Sequence, residues 1–222
     1  MNKVAVLLLI ALLSMGAGCR RHENASPDEA RVRLINAVPN AGDLTVAVDG
    51  KRVWKGPRFG SNTGYQAIPK GRYEVRIDTG RPRPIDSAGI GFIFERGQDY
   101  TLVALPSATG GEEPGTLVFV DERNAFVPPG QASIRFINAA PGARRIDALF
   151  NRIVGLKNVA LGTRSDALLL DTGDYELSLA PSASQFTPLL EPIPLHLESG
   201  RAYTFVAMGG RKEISVHAYQ DR

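Results

Sequence analysis

The chain has 222 residues, 43% of them hydrophobic and 22% charged, an ordinary globular balance that is ample for a core. The formal charge is only +3 and the basic residues are scattered, which argues against a nucleic-acid partner. Cys19 is the single cysteine, so no disulfide framework holds this chain together.

The N-terminal stretch "MNKVAVLLLIALLSMGAGC" pairs a short positive region at Lys3 with an apolar run over residues 4–17. That run is shorter than the ~18 residues of a spanning helix and has the flanks of a signal peptide. Small residues Gly16, Ala17 and Gly18 precede Cys19. The segment resembles a bacterial lipoprotein signal with its lipobox, Gly16 standing where Leu is commonest. The resemblance implies cleavage after residue 18, a diacylglycerol on Cys19, and N-acylation of the new terminus. Each buried methylene of such chains contributes roughly 0.8 kcal/mol to anchoring, and stable anchoring takes more than one chain. Arg20 after the cysteine, where Asp is absent, implies the outer membrane if the source is Gram-negative. Residues 19–29 are polar, without an apolar period, and read as a flexible tether.

Beyond the tether the chain repeats itself. "RLINAVPNA" begins at Arg33 and "RFINAAPGA" at Arg135, a shift of 102 residues. The same shift lays "GRYEVRI" over "GDYELSL", and one residue more lays "ERGQDYTLVAL" over "ESGRAYTFVAM". Glycines and tyrosines recur in order over most of each half, the mark of a tandem duplication. The first copy is placed at residues 30–123 and the second at 132–222. Residues 124–131, with Pro128, Pro129 and Gly130, cannot continue a central strand and are read as a short, partly stiff linker.

Each copy reads as β. In chain order, Leu44, Val46 and Val48 alternate with Thr45 and Ala47 and then turn at Asp49 and Gly50, a type I′ hairpin signal. Tyr73, Val75 and Ile77 alternate with Glu74 and Arg76. Residues 100–105, 117–120, 203–207 and 214–219 are further β-rich runs between Gly and Pro turns, and no sustained helical period follows the signal. Short strands at this spacing predict an all-β chain of two tandem Ig-like, Greek-key β-sandwiches. "DTGDY", ending at Tyr175, has the form of a tyrosine corner, and "PKGRY" keeps Gly71 and Tyr73 as the second copy keeps Gly173 and Tyr175. These four residues are read as structural.

"VRLINAVPNAGDLTVAVDGKRV", "IPKGRYEVRI" and "ERGQDYTLVAL" resemble the domain-of-unknown-function 4397 family, over nearly the whole chain after the tether and in two copies. The family is common in bacterial envelope proteins, and the resemblance implies no activity. The second copy has Asn151 and Arg152 where the first has Asp49 and Gly50, so its first hairpin is expected to turn differently.

Signals of chemistry are sparse. His22 lies in the tether, and His196 and His217 sit in strand-like runs whose alternation predicts exposed rings. No His, Cys or carboxylate spacing suits a metal, Ser61 lacks the nucleophile-elbow context, and Gly89 with Gly91 carries no nucleotide signal. No catalytic residue, metal site or cofactor is therefore expected, and the chain is not read as an enzyme. Two loops are the places for a ligand: Arg81 and Arg83 between prolines, and Arg144 and Arg145 after the repeated Pro141. Guanidinium pairs can grip carboxylates or phosphates bidentately. The reading is a lipid-anchored cell-envelope protein acting as a non-catalytic binding or structural module on an envelope polysaccharide or protein. The alternative is an enzyme, or an enzyme's accessory subunit, acting on an envelope polymer.

Overall fold

A computed structural model describes residues 28–39, 41, 44–79, 85–86, 90–106, 115–121, 126–182, 184, 188–210 and 213–221. Cys19, His22, Arg81, Arg83 and the signal segment lie outside them. Every regular element among the described residues is a strand. The first copy carries β1 (Glu29–Asn36), β2 (Leu44–Val48), β3 (Lys51–Lys55), β4 (Gln66–Pro69), β5 (Gly71–Thr79), β6 (Ile85–Asp86), β7 (Ile90–Phe94), β8 (Asp99–Leu105) and β9 (Gly115–Asp121). The second carries β10 (Gln131–Asn138), β11 (Arg145–Phe150), β12 (Ile153–Ala160), β13 (Leu168–Asp171), β14 (Gly173–Pro181), β15 (Leu190–Leu197), β16 (Ala202–Gly210) and β17 (Glu213–Gln220).

The two copies share one topology. In the first, the sheet β4-β1-β8-β9 faces a sheet in which β3, β2 and β5 run side by side and both β6 and β7 pair with β5. In the second, β13-β10-β16-β17 faces β12-β11-β14-β15. The opening strand pairs in parallel with the strand that follows the hairpins, β1 with β8 and β10 with β16. The chain is thus all-β and folds as tandem sandwiches. The likeness to immunoglobulin domains holds at the level of two packed Greek-key sheets, the strand order being its own.

The first hairpin of each copy turns in the same way. Asp49 and Gly50 have φ of 49° and 74°, Asn151 and Arg152 have 51° and 66°. Both pairs meet the positive φ a type I′ turn demands. The Asp49 carboxylate accepts the Glu74 N–H at 2.8 Å, and the Asn151 amide oxygen accepts the Glu176 N–H at 2.8 Å. The different turn expected of Asn151 and Arg152 is therefore not found. Sheet pairing and the Asx hydrogen bond impose the geometry even on an arginine.

Alternation along β1 and β10 serves two cores rather than one. Ala30, Val32 and Leu34 enter the core between the first copy's sheets, and Ile134 and Phe136 enter that of the second. The residues between them point the other way. Ile35, Ala37, Val103 and Leu105 of the first copy join Ile137, Ala139, Val206, Met208 and Tyr219 of the second in a third buried cluster. The sandwiches are thus stacked back to back through β1-β8 and β10-β16, four sheets deep. Corresponding residues meet there: Ile35 matches Ile137, Ala37 matches Ala139, Val103 matches Val206.

The Arg33 guanidinium is buried in that junction. Arg33 is 2% exposed. Its Nε donates to Thr101 Oγ1 at 2.7 Å, its Nη2 to Asp221 Oδ1 at 2.6 Å, and its guanidinium lies 4.9 Å from the centre of the Tyr65 ring. Asp221 also accepts the Thr204 hydroxyl at 2.9 Å. The carboxylate, hydroxyls and ring replace the water Arg33 has lost.

His217 belongs to the same junction and not, as alternation predicted, to the exposed face. Its ring is half-buried, edge-on to Phe59 with centroids 6.0 Å apart, and its Nε2 is 3.2 Å from Ser215 Oγ. A Cβ on Gly60 would come within 2.9 Å of Nδ1, so glycine is needed at that approach. Alternation did place His217 on the face away from its own sandwich's core. That face is covered by the other copy. His196 is exposed and stands 2.6 Å from Asp174.

Candidate functional site

The repeated "INA-x-P" motif explains the loops above the sandwiches. Asn138 is fully buried at the end of β10. Its Nδ2 donates to the carbonyls of Ala143 at 2.9 Å and Val159 at 3.1 Å, and its Oδ1 accepts the Ala140 N–H at 3.1 Å. One side chain thus shapes the β10–β11 turn and ties it to β12. Asn36 does the same in the first copy, donating to the Pro57 carbonyl at 3.0 Å and accepting the Val38 N–H at 2.9 Å. This role was missed in the sequence, although the Asn recurs in both motifs.

The turn that Asn138 holds forms one wall of a cleft of about 700 Å³. Arg144 and Arg145 stand on this wall, Ala160 and Leu161 close the β12 side, and Pro181, Ser182 and Leu189 form the far side. Backbone bonds lock the walls together: the Leu161 N–H donates to the Arg144 carbonyl at 2.8 Å and the Ser182 N–H to the Arg145 carbonyl at 3.2 Å. Beneath them lies Asp147, 4% exposed, on β11. Its Oδ1 accepts the Ser182 hydroxyl at 2.6 Å and the Asn158 N–H at 2.7 Å. The β11–β12 pairing shifts register beside it, and Asn158 takes φ of 59°. This bulge turns the Asn158 amide toward Arg145, whose Nη1 donates to Oδ1 at 3.0 Å.

The two arginines therefore differ. Arg145 is oriented by Asn158, while the exposed Arg144 side chain has no acidic partner among the described residues. The tyrosines at the opposite, structural positions are spent on the backbone: Tyr73 Oη donates to the Pro69 carbonyl at 3.1 Å and Tyr175 Oη to the Asp171 carbonyl at 2.9 Å. Gly71 and Gly173 open the strands that carry them. Arg81 and Arg83 lie outside the described residues, between β5 and β6.

A family model described as a domain of unknown function, DUF4397, matches residues 30–149 and again residues 132–222. The chain belongs to this family. The two DUF4397 matches accord with the two sandwiches and with the shared topology. None of the curated proteins matches the chain. Among solved structures it is similar to the family 26 carbohydrate-binding module CBMbc of Amy13K from Eubacterium rectale, in complex with maltoheptaose. The identity is 8% and the TM-score 0.27, over 85% of this chain and 96% of that one. It is similar also to a candidate cell adhesion protein from Bacteroides uniformis, at 9% identity and a TM-score of 0.25, over 87% and 98% of the two chains. Scores this low fix neither a ligand nor a binding face for the DUF4397 copies.

Proposed function

We propose that this DUF4397 protein is a lipid-anchored component of the bacterial cell envelope, a non-catalytic module that grips acidic groups of an envelope polymer. The observation that carries the reading is the cleft with Arg144 and Arg145 on its rim, one guanidinium held by Asn158 and the other exposed. Planar guanidinium forks match carboxylate and phosphate geometry. The Ser182 hydroxyl beside them is committed to Asp147, and the described histidines, His196 and His217, lie elsewhere, paired with Asp174 and Ser215. This supports a site that holds rather than transforms its ligand. The signal-like segment ending at Cys19 supports the anchor. Acyl chains would keep the module near its partner and raise the effective concentration of each.

Two measurements test this. Polygalacturonate, a polymer of carboxylate-bearing sugars, should bind the full chain in a salt-sensitive manner, because the contacts are exposed charges. Arg144→Ala with Arg145→Ala should abolish that binding without lowering the unfolding midpoint. Retained binding by the double variant refutes the cleft. Cys19→Ala should move the protein from the membrane to the soluble fraction, and unchanged membrane retention refutes the anchor.

A further inference from the structure

We propose that the first copy carries a second ligand site, separate from the arginine cleft, that stacks a neutral sugar ring on Trp54. Trp54 is the single tryptophan of the chain. It sits on β3 opposite the buried Val46, so it points to the mouth of the sandwich, where it packs half-buried on the core between the sheets. A cleft of about 430 Å³ opens there between the edge strands β3 and β4. Val53, Trp54 and Lys55 line one side, and Asn62, Thr63 and Gln66 line the other.

The Thr63 hydroxyl of this cleft is committed, accepting the Leu34 N–H at 2.9 Å and donating to the Gly64 carbonyl at 2.7 Å, but the Asn62 and Gln66 amides are only partly used. Asn62 Oδ1 accepts the Gly64 N–H at 2.7 Å, and its Nδ2 has no partner among the described residues. The Gln66 amide nitrogen reaches the Thr63 carbonyl at a long 3.3 Å, and its oxygen has no partner there. The Trp54 indole N–H likewise has none. Donors, an acceptor and an aromatic surface thus converge on one open volume.

The second copy shows that the fold does not require this opening. The same strand registers put Leu156 at the place of Trp54, Arg164 at that of Asn62 and Leu168 at that of Gln66. Gly155 replaces Val53, and a Cβ there would come within 2.9 Å of Leu168 Cδ2 and 2.8 Å of Phe150 Cδ2. Leu168 closes the mouth in the second copy. In the first, an amide takes the place of the plug and the largest side chain available takes the place of a leucine. A pyranose ring offers an apolar face of C–H groups and a rim of hydroxyls that donate and accept. An indole face with flanking amides meets both demands, and a few polar groups in an otherwise apolar cleft are what orient such a ligand.

Because Trp54 is the only tryptophan, its emission reports on this cleft alone. The full chain is titrated with cellohexaose, maltohexaose and chitohexaose. The expected result is a saturable change in emission with at least one of them, kept in the Arg144→Ala, Arg145→Ala variant, which separates this site from the arginine cleft. Asn62→Ala should weaken that binding about tenfold, the worth of one lost hydrogen-bonded contact. Trp54→Leu installs the residue the second copy already packs at this register, so it should unfold cooperatively as the parent does and show no binding by calorimetry. The proposal is overturned if none of the three sugars gives a saturable response at millimolar concentration, or if Trp54→Leu binds as well as the parent.

Discussion

Arg33 and Asp221 are 188 positions apart and form a 2.6 Å ion pair across the junction of the two sandwiches. The Arg33 side chain is 2% exposed and that of Asp221 10%. Removing one member of a buried, hydrogen-bonded ion pair costs about 3–5 kcal/mol. Asp221→Ala should therefore lower the stability of the full chain by roughly that amount in urea unfolding. Replacing both, Arg33→Met with Asp221→Leu, should recover most of the loss, because the desolvation cost goes with the charges. A loss under about 1 kcal/mol for Asp221→Ala, the worth of a surface pair, would refute the burial described.

Gly60 and Gly162 are equivalent in the two copies and nearly identical in backbone, with φ of 74° and 77°, yet only Gly60 has a neighbour close to its missing side chain. Gly162→Ala should cost about 1–2 kcal/mol, the penalty of a left-handed conformation. Gly60→Ala should cost about 1–3 kcal/mol more, because its Cβ meets the His217 ring across the junction. Equal losses in thermal unfolding would show that the copies do not touch there.

Burial holds His217 below its ordinary value of 6.5, and a hydrogen bond to the Gly60 backbone acts in the opposite direction. The unfolded chain therefore takes up this proton at a higher pH than the folded one. Stability contributed by the neutral ring is complete above about 6.5 and is lost as pH falls through the lower folded value. His217→Gln should flatten this part of the stability–pH curve. An unchanged curve, followed by the urea midpoint between pH 7.5 and 5, counts against a buried neutral histidine.

Arg152 holds φ of 66° in the hairpin turn where the first copy has a glycine. Arg152→Gly should stabilise the second copy by up to about 1 kcal/mol, since glycine takes this conformation without strain and loses part of the gain to backbone entropy. Gly50→Arg should do the reverse. Thermal midpoints moving the other way would mean that the turn is not type I′.

The duplication and the all-β character were legible in the sequence because both are local. A period of two along residues 44–48 and 73–77, with Asp and Gly at a turn, specifies strands and hairpins from neighbours in the chain. The position of Arg144 on the loop after the repeated proline was legible for the same reason, whereas Arg145 already opens β11. The cleft was not, because Asn158 and Ser182 reach it from other strands, along with the buried Asp147 that binds them.

What tertiary structure alone decided is what covers the second face of β1, β8, β10 and β16. Leu34 with Ile35, Phe136 with Ile137, and the run from Phe205 to Met208 are adjacent apolar residues, and in a strand adjacent residues point to opposite faces. That pattern states that both faces are buried but not by what, since a strand carries no record of the sheet stacked upon it. The other copy supplies the cover. It turns His217 inward and encloses Arg33.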